Sequence, residues 1–248
     1  MKTRYLILEF KNILGNFIGI FFGFIFPVLL ANIIIFSRKS EIPPQFVSDF
    51  KVTIFITMIS IIPLSLALVG FPALFSQETE KGVTRRMVLF GYGITKQLIN
   101  KLISNIVVIF IAVGVYFFSV GYMNDIKLPS AYSLFVLLVS LFVISIDFYM
   151  ITFAITWWLK KFSYVYGVTM VLYFIVMILT GMFGVSSEKF GTIIYGIAKC
   201  IPITLFTKTL IKNWSASFYS LGNYVWVLIG FTIFSFLLFL LSKKTSRN

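Results

Sequence analysis

Histidine is absent, cysteine occurs once, and only eight of the 248 residues are acidic. Without histidine there is no imidazole metal site, no Ser-His-Asp triad and no Cys-His dyad. Cys200 has no second cysteine to pair with, and it reads as a small packing residue. The sequence has no GxxxxGK[ST] stretch, so the loop that cradles nucleotide phosphates is missing as well. Charge is scarce: Asp, Glu, Lys and Arg make up 12% of the chain, against ~25% in a soluble domain. No polar stretch is long enough to build a water-soluble core.

What is abundant is hydrocarbon. Apolar residues make up 59% of the chain, and 30 residues are phenylalanine. This composition identifies an integral membrane protein. Six apolar runs approach the ~20 residues that cross a ~30 Å core. They lie at about 17–36, 52–75, 98–122, 132–159, 162–185 and 224–241. Backbone groups in lipid must be paired within their own segment, so these runs are helices. Their continuity excludes a membrane barrel, whose strands alternate. The expected fold is an all-α transmembrane domain over residues 1–248, with no internal repeat.

The segments between the spans carry the remaining information. Residues 1–16 mix Tyr5, Leu6, Leu8, Phe10, Ile13 and Leu14 with Lys2, Arg4, Glu9, Lys11 and Asn12, which reads as an amphipathic helix on the membrane surface. No small-residue cleavage site follows, so a cleaved signal peptide is not expected. In the loop at 37–51, Pro43 and Pro44 favour an extended path. Residues 186–223 are apolar but interrupted by Lys199, Pro202, Lys208 and Lys212, which predicts short helices at or dipping into the outer leaflet.

Six spans place both termini on one side. That side then holds Lys2, Arg4, Lys11, Lys81, Arg85, Arg86, Lys96, Lys101, Lys160, Lys161, Lys243, Lys244 and Arg247, thirteen of the 21 basic residues. The other side holds Arg38, Lys39, Lys51, Lys127, Lys189, Lys199, Lys208 and Lys212. The excess assigns both termini to the cytoplasm. The net charge of +13 is thus spread over many short loops. It is read as orientation and contact with anionic lipid, and nucleic acid is not an expected partner. Trp157, Trp158, Tyr164 and Tyr166 beside Lys160 and Lys161 read as an interfacial aromatic belt.

The densest polar stretch is 77–96, QETEKGVTRRMVLFGYGITK, between the second and third spans. Ionised side chains at this density cannot sit in hydrocarbon. Glu78 and Glu80 precede the basic residues, an order that suits the N-terminal end of a helix. Glu78, Lys81 and Arg85 follow a three- and four-residue spacing that places alternating charge on one helical face. Gly82 is positioned to break or cap a turn.

The stretch EKGVTRRMVLFGYGITKQLINKLIS resembles the cytoplasmic loop of ABC-2 type transporter permeases. Glu80, Lys81, Gly82, Thr84, Arg85 and Lys96 stand in the order of that loop, and Gly91 stands where the family often has proline. The resemblance extends to the layout: an amphipathic N-terminal helix, six spans and a proline-containing re-entrant region around Pro202 before the last span. It implies a dimer, with a second copy or a sister permease. It also implies a coupling helix that docks on a separate ATPase subunit, where ATP and Mg would bind. This chain would then hold no cofactor and would not itself be an enzyme. On that reading Glu78, Glu80, Lys81, Gly82, Thr84, Arg85 and Arg86 form the polar part of the coupling region, and Met87, Val88, Leu89 and Phe90 its apolar anchor. The substrate class implied is amphipathic or hydrophobic: an antimicrobial peptide, bacteriocin, drug or lipid-linked molecule exported from a cell that the Phe-, Ile- and Lys-rich composition marks as bacterial.

Two further features lie inside the spans. Gly15, Gly19 and Gly23 repeat every four residues, a spacing that lets helix backbones approach closely, at a dimer seam or within one subunit. Asp147 is the only acidic residue deep in an apolar run. It either lines a substrate path or carries a proton, or else it is held by hydroxyls such as Ser145, Thr152 or Thr156. A proton- or ion-coupled transporter using Asp147 is therefore the alternative to an ATP-driven one.

Overall fold

The computed structural model describes residues 3–183, 189 and 191–245. Every regular element among them is helical. A short helix α1 (Thr3–Gly15) precedes the first long helix, α2 (Phe17–Arg38). The second long helix, α3 (Pro44–Glu80), is followed by a short one, α4 (Val83–Leu89). Then come α5 (Ile94–Tyr122), α6 (Ala131–Leu159) and α7 (Phe162–Leu179). Two short helices, α8 (Thr192–Lys199) and α9 (Pro202–Asn213), lead to α10 (Asn223–Thr245). Among the described residues six helices, α2, α3, α5, α6, α7 and α10, are long and apolar enough to cross a membrane.

Prolines account for the π-helical turns of α2 and α3, while the π-helical end of α5, Phe117–Tyr122, contains none. Pro27 and Pro72 have no N–H to give to the carbonyl four residues earlier. Each follows a π-helical turn, Phe21–Ile25 in α2 and Leu66–Gly70 in α3, where the ladder widens. The two π turns pack against each other. At 37 residues α3 is longer than a straight membrane crossing requires, and it runs on into the polar stretch at 77–80. Pro44 does not continue an extended loop: Pro43 alone is extended, and Pro44 opens the first turn of α3, where a missing N–H costs nothing.

The centre of the bundle is α3. Of its apolar window 83% is buried, against 11% for α10. The second half of α2 lines its start, and α7 lines its last turns. α10 runs along α6, while α1 lies across the beginning of α5. Phe55, Ile56, Leu64, Leu68, Tyr116, Phe148 and Tyr173 are almost fully enclosed. The outer faces carry large exposed apolar side chains, including Phe36, Phe118, Val171, Ile233 and Trp226. Apolar area on that scale needs hydrocarbon around it.

The fifth span is shorter than the apolar run. α7 stops at Leu179, and Gly181 takes a left-handed conformation at φ 79°. The run's last residues, 184 and 185, lie outside the described residues, as do 186–188 and 190 of the following segment. Within that segment α8 and α9 meet at 84° across a break at Cys200–Ile201, with Pro202 in the first turn of α9. α9 packs against α3, α6 and α10. Its far end is tied down: Trp214 Nε1 donates to Lys127 O at 2.6 Å, and Ser133 Oγ donates to Asn213 O at 2.9 Å. Cys200 is exposed at the bend and is not a packing residue.

Candidate functional site

Residues 77–96 do not form one charged helix. Gly82, at φ 68°, ends α3 and turns the chain into α4. Glu78 and Arg85 therefore sit on different helices, and the alternating face expected from their spacing does not exist. Glu78 and Glu80 are also at a helix C-terminus, where the dipole disfavours anions, and not at an N-terminus. Each is compensated by tertiary structure. Glu80 Oε2 accepts the backbone N–H of Phe162 at 2.9 Å, which places its charge at the N-terminus of α7. Glu78 is held by a lysine from the third span.

That lysine is Lys101. Its Nζ lies 2.7 Å from Glu78 Oε2 and 2.7 Å from Glu9 Oε2. One buried ammonium thus joins α1, α3 and α5. Two carboxylates around one ammonium carry an excess negative charge, and burial pushes the Glu9 carboxyl up from its ordinary value against the pull of Lys101. Ser104 Oγ adds a bond to Leu6 O at 3.3 Å, and Tyr5 stacks on Tyr92 with centroids 4.1 Å apart. Glu9 is thus turned inward, while Ile7, Leu8 and Leu14 of the same helix face outward.

The loop after α4 is clamped from α5. Gln97 Nε2 donates to Tyr92 O at 2.7 Å and to Thr84 O at 3.3 Å, and Asn100 Nδ2 donates to Tyr92 Oη. Gly91 is left-handed at φ 81°, a conformation that suits glycine and that proline cannot take. Thr84 is buried. The outward face of this region therefore includes Glu80, Lys81, Arg85, Arg86, Val88, Leu89, Phe90 and Lys96. Leu89 is 78% exposed and Phe90 88%. Gly82 and Met87 are partly covered.

Of the residues singled out in the sequence, Lys81, Arg85, Arg86, Leu89 and Phe90 share one accessible surface. Glu78 and Thr84 hold that surface in place from behind, while Glu80, itself exposed, borders it and accepts from Phe162 N–H. Glu9, Gln97 and Lys101 are the supporting residues that the pattern did not single out. One signal was legible: Tyr5, Glu9 and Ile13 share a helical face, so a glutamate stood between two apolar residues of the inward stripe.

The glycine stripe divides. Beside Gly19 an added Cβ would lie 3.1 Å from Gly70 Cα, and beside Gly23 it would lie 2.7 Å from Leu66. Asn16 Nδ2 closes the same crossing by donating to Gly70 O at 3.0 Å. Gly19 and Gly23 therefore let α2 approach α3 within one subunit. Gly15 has nothing within 4 Å of its Cβ position and belongs to no close contact.

Asp147 is fully buried in α6. Its partner is none of the hydroxyls on its own helix: Thr232 of α10 donates to Oδ2 at 3.0 Å. Ser145 and Thr156 donate instead to backbone carbonyls of α6. Asp147 Oδ1 has no hydrogen-bond partner among the described residues.

No protein-family model matches the chain, and no curated protein or solved structure is similar to it at a significant level.

Proposed function

We propose that this chain is the membrane-spanning permease subunit of an ATP-driven ABC-2 type exporter, with α4 as the helix that receives the stroke of a separate ATPase subunit. The observation that carries this reading is the accessible face of α4 and its exit. Arg85 and Arg86 stand beside Val88, Leu89 and Phe90, all of them exposed. Phenylalanine and arginine are both enriched in protein interfaces, and Phe90 stands with Arg85 and Arg86 on this exposed stretch. The base beneath it is braced to three long helices: Glu78 on α3, Lys101 on α5 and, through Glu80, the start of α7. A push on α4 is therefore delivered to the bundle and not absorbed by a loop. ATP and Mg belong to the partner, which supplies hydrolysis. This subunit supplies the path, for an amphipathic or hydrophobic substrate, as one of a pair with a second copy or a sister permease. In this reading α1 lies on the cytoplasmic membrane surface of a bacterial cell and α8–α9 form the outer re-entrant pair.

The test is co-expression with ATPase subunits encoded beside it, purification through this chain, and assay of ATP hydrolysis. The expected result is a co-purifying ATPase that is lost with Arg85→Glu/Arg86→Glu and retained with Lys39→Glu on the far side. Equal recovery with both variants would remove α4 from the docking surface.

A second reading is favoured by one atom. Asp147 Oδ1, buried without a partner among the described residues, is the kind of site that a proton-coupled transporter uses. It predicts gradient-driven uptake or efflux without an ATPase, abolished by Asp147→Asn. Near-normal transport by that variant leaves Asp147 as a polar contact between α6 and α10.

A further inference from the structure

Polar residues recur along one side of α6 at its seam with α10. Ser133, Ser140 and Asp147 stand seven residues apart, so they share a face of the helix at steps of about 10 Å. All three are buried. Each has a polar neighbour from the last part of the chain. Tyr219 stands beside Ser133, Tyr224 stands beside Ser140, and Thr232 donates to Asp147 Oδ2 at 3.0 Å. The Tyr224 hydroxyl lies within electrostatic reach of both the Asp147 carboxylate and Tyr219. Tyr219 and Tyr224 are 8% and 3% exposed.

Three polar atoms along this seam have no hydrogen-bond partner among the described residues: Tyr219 Oη, Tyr224 Oη and Asp147 Oδ1. Leaving a buried hydroxyl or carboxylate oxygen bare is unfavourable, and such groups in a stable interior are met by water or an ion. A single orphan would be a local flaw in packing. Three at successive levels of one seam form a file. It opens where α6 and α10 begin, beside the exposed Ser220 and Asn223. Past Asp147 it stops. The next residue of the stripe is Ala154, and Phe153 packs on Phe239 with centroids 5.1 Å apart. Ser235 and Ser242 of α10 donate to carbonyls of their own helix. Thr152 Oγ1, also without a partner among the described residues, lies five residues on from Asp147 and so well around the helix from the stripe. The polar file therefore joins Asp147 to the end of the bundle that holds the α8–α9 bend.

One carboxylate and a few hydroxyls make a poor cage for a divalent cation. Among the described residues no lysine, arginine or second carboxylate acts on Asp147, and the titratable group that faces it is Tyr224. No partner charge therefore fixes Asp147 as a carboxylate, and it can exchange between carboxylate and carboxylic acid. A hydroxyl accepts a proton on a lone pair and releases its own, as water does. We propose that the α6–α10 seam is a hydrated proton route that loads Asp147 from the α8–α9 end, with Tyr219 and Tyr224 holding its water. Steps of about 10 Å exceed a direct hydrogen bond, so water spans them between the hydroxyls. A hydronium at the mouth gives up one proton and becomes water. Each water and hydroxyl along the file takes one proton and passes one on. Asp147 ends as the neutral acid, and the tyrosines end unchanged. The use of that proton in transport rests on the proton-coupled reading of Asp147, whereas the route itself does not.

The test uses the full chain in sealed, inwardly buffered proteoliposomes captured through biotin-maleimide on the exposed Cys200, so that the α8–α9 end faces the bath. Infrared spectroscopy reads the carbonyl band of a protonated carboxyl, assigned to Asp147 by its loss in Asp147→Asn. In wild type that band should rise and fall with steps in bath pH. Tyr219→Phe/Tyr224→Phe keeps both rings and should slow the response about tenfold, the scale of one lost hydrogen bond to a charged group. Tyr173→Phe removes a buried hydroxyl from α7, where the ring packs on Phe22 of α2, and should change nothing. A band that follows only the inner pH, or that never responds, would overturn the proposal. So would an unchanged rate in the double variant or an equal slowing in Tyr173→Phe. Transport is measured separately. Normal transport by Asp147→Asn beside a responsive band removes the proton-coupled reading and leaves the route. Lost transport beside an unresponsive band removes the route and leaves that reading.

Discussion

Lys101 is the residue on which most buried charge converges. An ammonium taken out of water is costly, and two carboxylates at 2.7 Å repay that cost only while all three groups are present. Lys101→Met leaves Glu9 and Glu78 facing each other and should destabilise the fold by about 3 kcal/mol or more, read as a lowered thermal midpoint in detergent. Glu9→Gln tests the excess charge more gently. The folded chain holds the Glu9 proton more tightly than the unfolded chain, whose carboxyl titrates near 4.5. The stability this contributes is present below that value and is lost as pH rises through the raised folded value. Thermal scans from acid to neutral pH should therefore show wild type losing ground relative to Glu9→Gln. A constant difference between the two would mean that Lys101 fully compensates both carboxylates.

At the scale of elements, the crossing of α2 and α3 depends on two glycines whose backbones nearly touch. Gly19 faces Gly70 directly, with Asn16 bonded across the same gap. Gly19→Leu must push the helices apart against backbone that cannot yield, and should cost about 1–3 kcal/mol in the same thermal assay. Gly15→Ala, with open space around it, should stay within about 0.5 kcal/mol of wild type. The π turns at Phe21–Ile25 and Leu66–Gly70 belong to the same crossing, because each precedes a proline that leaves a carbonyl without its usual donor. Spacing alone placed three glycines in one stripe. Which of them met another helix depended on α3, and Gly70 had no repeat to mark it.

For the whole molecule, the helices alternate direction so that α4, the α6–α7 link and α10's lysines share one end, while the α8–α9 bend occupies the other. Cys200, the only thiol in the chain, is exposed at that bend. In intact cells a membrane-impermeant maleimide should label it from outside if the basic excess orients the termini inward. Leu89→Cys in a Cys200→Ser background should be labelled only after permeabilisation. The reverse pattern would invert the topology and place α4 out of reach of any cytoplasmic partner.

Composition along the chain was enough to show that it lives in hydrocarbon, that its spans are helices, how many there are to within the bent pair α8–α9, and that the polar stretch at 77–96 must leave the membrane. Those conclusions follow from transfer energies and from the need to pair every backbone group, which depend on composition along the chain and not on neighbours in space. What the individual polar groups do followed from how the helices pack. Glu78 and Glu80 looked like one end of a charged helix and proved to be its braced far end, because their partners, Lys101 and the start of α7, lie 23 and 82 residues away. Asp147 found Thr232 across 85 residues for the same reason. Side-chain pairing in a bundle is set by which helices touch, and no local spacing records that.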